Sequence, residues 1–418
     1  MRTIFKSMLV GGWLLLLGTV SYATTGNFSD TTRAYAVPTL AKTSKGNVAL
    51  SWTEKDKDGT TFFYWAESTD KGKTFGDKKL IYSAVGLGSS RLMRPKLLFK
   101  KDGSIVAVFA APGTSVNAPT ASAQSGHDHG DAHAGHSSAP KSGGRPSDLQ
   151  IVYSVSKDGN TWSQPAPVHA DKTPNTVRGF FDATLLANDE VAVAYLNDIP
   201  GKAHERDLKF VTSKGGKFGD VKTLDPFTCD CCNISLLVDN KGALNLYYRE
   251  NQENIRDIYK MISTDNGATF TKAENLFADN WKVNGCPHSG PTSSASSAGN
   301  LIAWTSGTTD SPGIRVVTQQ GKRLFVLDDQ SAKNAFLASA PKSAVLLWEQ
   351  NQALETGLTS VIAYKHITSD QNPATQFVKN AISGTNATGI VIDNQLIVAY
   401  EVKKANNKNG VSVAQTEL

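Results

Sequence analysis

Seven short apolar runs recur along the chain, each following a polar or glycine turn and each closing on an aromatic side chain: Trp52, Phe109, Tyr195, Tyr247, Trp304, Trp348 and Tyr400. The intervals between these aromatics are 57, 86, 52, 57, 44 and 52 residues, and the one long interval contains a low-complexity stretch whose removal restores the period. A polar loop and a second apolar run follow, for example around Phe62, Leu149, Leu208, Ile258 and Val361. Short strands with turn punctuation at such a period are the sequence pattern of β-propeller blades of three or four strands. Length alone would admit two or three domains, but a repeat that closes on itself makes one. The expectation is therefore an all-β, seven-bladed β-propeller (six blades the alternative) in a single domain spanning 24–418. The last unit stops at its third strand, so residues near 27–32 are expected to pair beside it and cover the edge.

The turns carry a second repeat. Ser68-Thr69-Asp70-Lys71-Gly72-Lys73-Thr74-Phe75 and Ser263-Thr264-Asp265-Asn266-Gly267-Ala268-Thr269-Phe270 share the pattern Ser-x-Asp-x-Gly-x-Thr-aromatic. A one-residue-shorter version begins at Ser156, and a degraded one at Ser213. In such a hairpin the Asp accepts backbone N–H bonds, the Gly takes a positive φ and the aromatic packs under the blade. The pattern resembles the Asp-box, or bacterial neuraminidase (BNR) repeat, of sialidase-like propellers. It bears on fold rather than activity, because the turn lies away from the binding face.

Arg2 and Lys6 precede an apolar stretch that ends in Ser21-Tyr22-Ala23. This reads as a signal peptide, 1–23, cleaved near Ala23, and places the mature chain in the periplasm or outside the cell. No later segment is apolar enough to span a membrane. The net charge of +5 includes Arg2 and Lys6 and is dispersed, which gives no argument for nucleic acid.

All four cysteines fall in two places, Cys229-Asp230-Cys231-Cys232 and Cys286-Pro287-His288. In a propeller, the connection leading into each innermost strand lies on the same face as the loop between the second and third strands. Residues 90–95, 175–182, 229–233 and 281–290 then share the channel-mouth face, with the cysteines leading into neighbouring blades four and five. Thiolates and a neutral imidazole form a first shell for a soft ion, so Cys229, Cys231, Cys232, Cys286 and His288 are the candidate metal ligands, with copper favoured and zinc the alternative. Exported thiols also oxidise; one of the three clustered cysteines bridged to Cys286 is the competing reading, since a Cys231–Cys232 bridge would be strained. Cys286-Pro287-His288 lacks the paired cysteines of a haem-attachment motif.

The low-complexity stretch, 112–147, is rich in Ala, Ser, Gly and Pro and is expected to be a flexible insertion in blade two. It holds His127, His129, His133 and His136, candidates for an accessory metal site. The favoured function is thus periplasmic handling of a soft metal ion. The likeness to sialidases implies a second, an exo-acting glycoside hydrolase of extracellular glycans, using Arg94, Arg178, Asp182, Tyr248, Arg249 and Glu250. Against this, Ala36 of Tyr35-Ala36-Val37-Pro38 stands where those enzymes carry their first arginine. A third reading is a disulfide-braced module that presents loops to a glycan or another periplasmic protein.

Overall fold

The computed structural model describes residues 30–113, 148–202, 205–296, 299–327, 329–355, 357–369, 371–404 and 406–418. Seven antiparallel sheets follow one another along the chain, at residues 34–85, 96–167, 178–229, 235–277, 292–326, 333–382 and 384–417, and form the seven blades of a propeller. Within each blade consecutive strands pair as neighbours, running from the channel outward, except that in blade three both Lys217–Phe218 and Lys222–Cys229 pair with Glu205–Lys214.

The seven repeating aromatics all lie on second strands, and none is more than 2 % exposed. Second strands are covered on both faces by the adjoining blades, which is why they are nearly continuous apolar runs rather than alternating ones. Core clusters accordingly straddle blade boundaries: Trp52 and Val48 pack with Ile397 and Val413 across the junction of blades one and seven. Ile302 and Trp304 pack with Tyr247 and Ile258 across that of blades four and five.

The Ser-x-Asp turns lie between third and fourth strands, as the spacing predicts. In two of them the bonding is the same. Asp70 Oδ1 accepts from Thr74 N at 2.8 Å and Ser68 Oγ accepts from Gly72 N at 2.7 Å; the equivalents at Asp265 and Ser263 are both 2.9 Å.

One expectation is corrected. Blade seven has three strands among the described residues, and Asp30, Thr31 and Thr32 form a turn rather than an added outer strand; Asn27 to Ser29 lie outside the described residues. The ring instead closes by side chains: Asn406 Nδ2 donates to Thr31 O at 2.9 Å, and Val37 N donates to Glu401 Oε1 at 2.9 Å. Pro112 ends the second strand of blade two and pairs with Leu149 at the start of the third. Residues 114–147, including His127, His129, His133 and His136, lie outside the described residues, as does the segment 1–29. Among the described residues no helix is long and apolar enough to cross a membrane.

Candidate metal centre

Blade three ends on its outer strand, Lys222–Cys229, and the chain then turns inward to the innermost strand of blade four, Ser235–Val238. Cys231 and Cys232 stand in that turn. One blade further on, residues 286–290 lead into Thr292–Ser294, the innermost strand of blade five. Neighbouring innermost strands bring these connections together at the channel mouth.

The two loops are stitched by short polar contacts. Asn233 donates from Nδ2 to Pro291 O at 3.1 Å and accepts from Gly290 N at 2.9 Å. His288 takes a left-handed backbone, φ 48°, and Arg91 Nη2 donates to its carbonyl at 3.0 Å. Arg249 Nε donates to Ser289 O at 2.9 Å while Ser289 N donates to the Cys232 sulfur. Gly290 is obligatory here: a Cβ would stand 1.9 Å from Asn233 O.

The result is a buried sulfur cluster. Sγ–Sγ separations are 3.4 Å for Cys229–Cys232 and 3.9 Å for both Cys229–Cys231 and Cys231–Cys232. The three residues are 1–2 % exposed. Cys231 also groups with Cys286 Sγ and a ring nitrogen of His288, all within 4.8 Å of one another. Cys286 Sγ contacts Asp230 Oδ1 at 3.6 Å. None of the four cysteines is in a disulfide. Ions with metal–sulfur bonds of about 2.3 Å hold their thiolates roughly 3.8–4.0 Å apart, which the two longer separations match, and the donor chemistry fits a soft metal centre.

The cluster is also electrostatically prepared for anionic sulfur. Burial raises the Cys232 thiol, but hydrogen bonds from Cys229 and Cys231, the Arg249 guanidinium and the Ser289 N–H outweigh it and hold the group well below the ordinary thiol range. Cys231 is pushed up by its hydrogen bonds with Cys229, Cys232 and Cys286. Cys229 is pulled down by Cys231, but Cys232 and burial outweigh this and leave it raised to about 11.

The six residues proposed for glycoside hydrolysis are not brought to one pocket. A central cavity of about 220 Å³ is lined by Arg91, Arg94, Lys96, Asp182, Asn233 and Ser289 among others. Of the six, Arg94 and Asp182 reach it. Arg94 donates to Pro38 O and Asn386 O at 3.0 and 2.9 Å, and burial lowers its pKa to about 10. Asp182 pairs with Lys96 at 2.7 Å and accepts from Leu236 N at 2.8 Å. Arg178 is fully buried between Asp171 and Gln150. Tyr248 donates to Asp225, beside Glu250, whose carboxyl is raised to about 9 by burial and by Asp225. Arg249 spends its donors on the carbonyls of Ser289, Arg256 and Thr305 and stacks over Trp281 at 5.2 Å.

Gly290, and the place of Arg249 beside the cysteines rather than among the hydrolase candidates, were not evident from sequence. Arg249 follows two tyrosines out of a strand, a setting compatible with many acceptors. Gly290 is one of 35 glycines, and no turn pattern distinguishes it.

No family model matches the chain, and no curated protein sequence matches it. Its fold is similar to that of solved structures. A protein of unknown function from Dyadobacter fermentans superposes with a TM-score of 0.52 at 14% identity, covering 95% of this chain and 98% of that one. A PL25 ulvan lyase does so with a TM-score of 0.52 at 11% identity, covering 93% and 96%. The NanB sialidase of Streptococcus pneumoniae gives 0.48 at 13% identity, covering 93% and 69%. At such identities the likeness concerns the propeller alone.

Proposed function

We propose that this chain is an exported sialidase-like propeller that binds a soft transition-metal ion, copper favoured and zinc the alternative, through Cys229, Cys231, Cys232, Cys286 and His288 at the channel mouth. The observation that carries this reading is the buried trio of sulfurs, 3.4–3.9 Å apart, with Cys286 and His288 brought to Cys231 from the next blade. Thiolate donors favour Cu(I) and Zn(II) over harder ions, and a bound ion would supply the positive charge that lets the remaining thiols ionise. Arg249 and Arg91 hold the His288 loop in place for it. The tract of His127, His129, His133 and His136 serves as an accessory collecting site, and the segment 1–23 as the export signal.

Glycoside hydrolysis has less support, because the guanidiniums of Arg94, Arg178 and Arg249 are each engaged at separate places. Elemental analysis of protein prepared from its native compartment, without chelators or a His tag, should return copper bound to the chain. Cys231→Ser together with Cys232→Ser should weaken binding by at least about 100-fold. If the double variant kept its full metal content, the ligand assignment would be wrong.

A further inference from the structure

The donors around Cys231 fall into two sets rather than one. Cys229, Cys231 and Cys232 form the first, and Cys231, Cys286 and His288 the second, and each is compact within 4.8 Å. They share a single atom, Cys231 Sγ. A thiolate sulfur has lone pairs enough to bridge two soft ions, and the two sets approach it from the connections into different blades.

The surroundings bear on the charge such a centre can carry. Arg249 and Arg256 are buried, 2 and 4 % exposed. The acceptors of Arg249 are carbonyl oxygens, and Arg256 Nε and Nη1 have no hydrogen-bond partner among the described residues. Nearby carboxylates accept from neutral donors or lie with one another. Asp257 accepts from Asn275 Nδ2, Asn280 N and Trp281 N, and Glu250 lies with Asp225. Asp230 is half-buried beside Cys286. Two monovalent ions held by four thiolates leave two negative charges, which these two guanidiniums match. Two divalent ions would neutralise the thiolates and leave both buried guanidiniums without the sulfur counter-charge, a less favourable arrangement.

We propose that the centre holds two monovalent soft ions of the Cu(I) or Ag(I) class bridged by Cys231 Sγ, one completed by Cys229 and Cys232 and the other by Cys286 and His288. This rests on the metal-binding reading above and adds to it a stoichiometry and a charge.

The test is an anaerobic Cu(I) titration of the full chain against a competing Cu(I) chelator strong enough to empty imidazole-only sites, followed by X-ray absorption on the loaded protein. The expected result is two Cu(I) per chain with a copper–copper scattering component. The Cys286→Ser/His288→Ala variant, altered at half-buried positions, should saturate at one Cu(I) and lose that component, while Zn(II) should bind at no more than one per chain. Saturation of the full chain at one Cu(I), or a double variant that still takes two, overturns the bridged centre and leaves the single-ion reading standing. Uptake of two Zn(II) as tightly as two Cu(I) overturns the charge assignment. A chain that takes up no metal sinks both readings, and the absorption measurement on unaltered protein decides the case even where a variant misfolds.

Discussion

Gly290 carries much of the cysteine site, although it donates nothing to a ligand. Its missing side chain lets the loop of Cys286 and His288 lie on the backbone of the loop of Cys231 and Cys232, where a Cβ would meet Asn233 O at 1.9 Å. Gly290→Ala should therefore push the two loops apart, destabilise the fold by about 1–3 kcal/mol and lower metal uptake, as read by thermal melting and by metal content of the same preparation. A variant with unchanged melting and unchanged loading would show that the loops do not need this contact. The cysteines and His288 were legible from sequence because their chemistry is rare and they are concentrated. Arg249 was legible only as a cation on the right face. From sequence it is one of six candidates for glycoside hydrolysis, whereas its donors go to three backbone carbonyls, because acceptors supplied by distant loops leave no local trace.

The Ser-x-Asp turns show a similar division between strands and what the strands rest on. Their internal bonding follows from local sequence, since the Asp reaches backbone groups within four residues. What they touch does not. Each of the three glycines sits against the preceding blade: Gly72 near Ile397, Gly159 near Trp65, and Gly267 with its would-be Cβ 2.7 Å from the Phe210 ring. Phe270 of the last turn packs edge-on to that ring at 4.8 Å. Gly103 provides a control, with φ +86° and open space, against φ +83° at Gly267. Alanine at Gly103 should cost about 1–2 kcal/mol from backbone strain alone. At Gly267 a further cost of about 1–3 kcal/mol should appear from the crowded ring. Equal losses in a denaturant titration of the two variants would remove the claim that the turn braces one blade against another.

Among the described residues the ring closes without a shared outer strand, through the apolar packing of blades one and seven and through polar groups at the channel mouth. Arg94, from the connection into blade two, joins Pro38 of blade one to Asn386 of blade seven, and Thr388 Oγ1 also donates to Pro38 O at 3.0 Å. Arg94→Ala should lower unfolding stability by about 2–4 kcal/mol, because two carbonyls lose a charged donor. A stable Arg94→Ala protein that had lost a glycosidase activity would instead favour the hydrolase reading. The propeller architecture, with seven blades favoured over six, and the meeting of the two cysteine segments at one face were legible in the sequence, because the apolar period is built into every repeat and topology carries each connection to a fixed side. Tertiary structure alone decided that among the described residues the ring closes without an added strand, that Arg94, Arg178 and Arg249 are spent at separate places, and that the sulfurs stand 3.4–3.9 Å apart in a pocket held by Arg249 and admitted by Gly290. The physical reason is that a repeat pattern fixes which strand follows which, whereas hydrogen-bond acceptors and close approaches come from blades far apart in the chain.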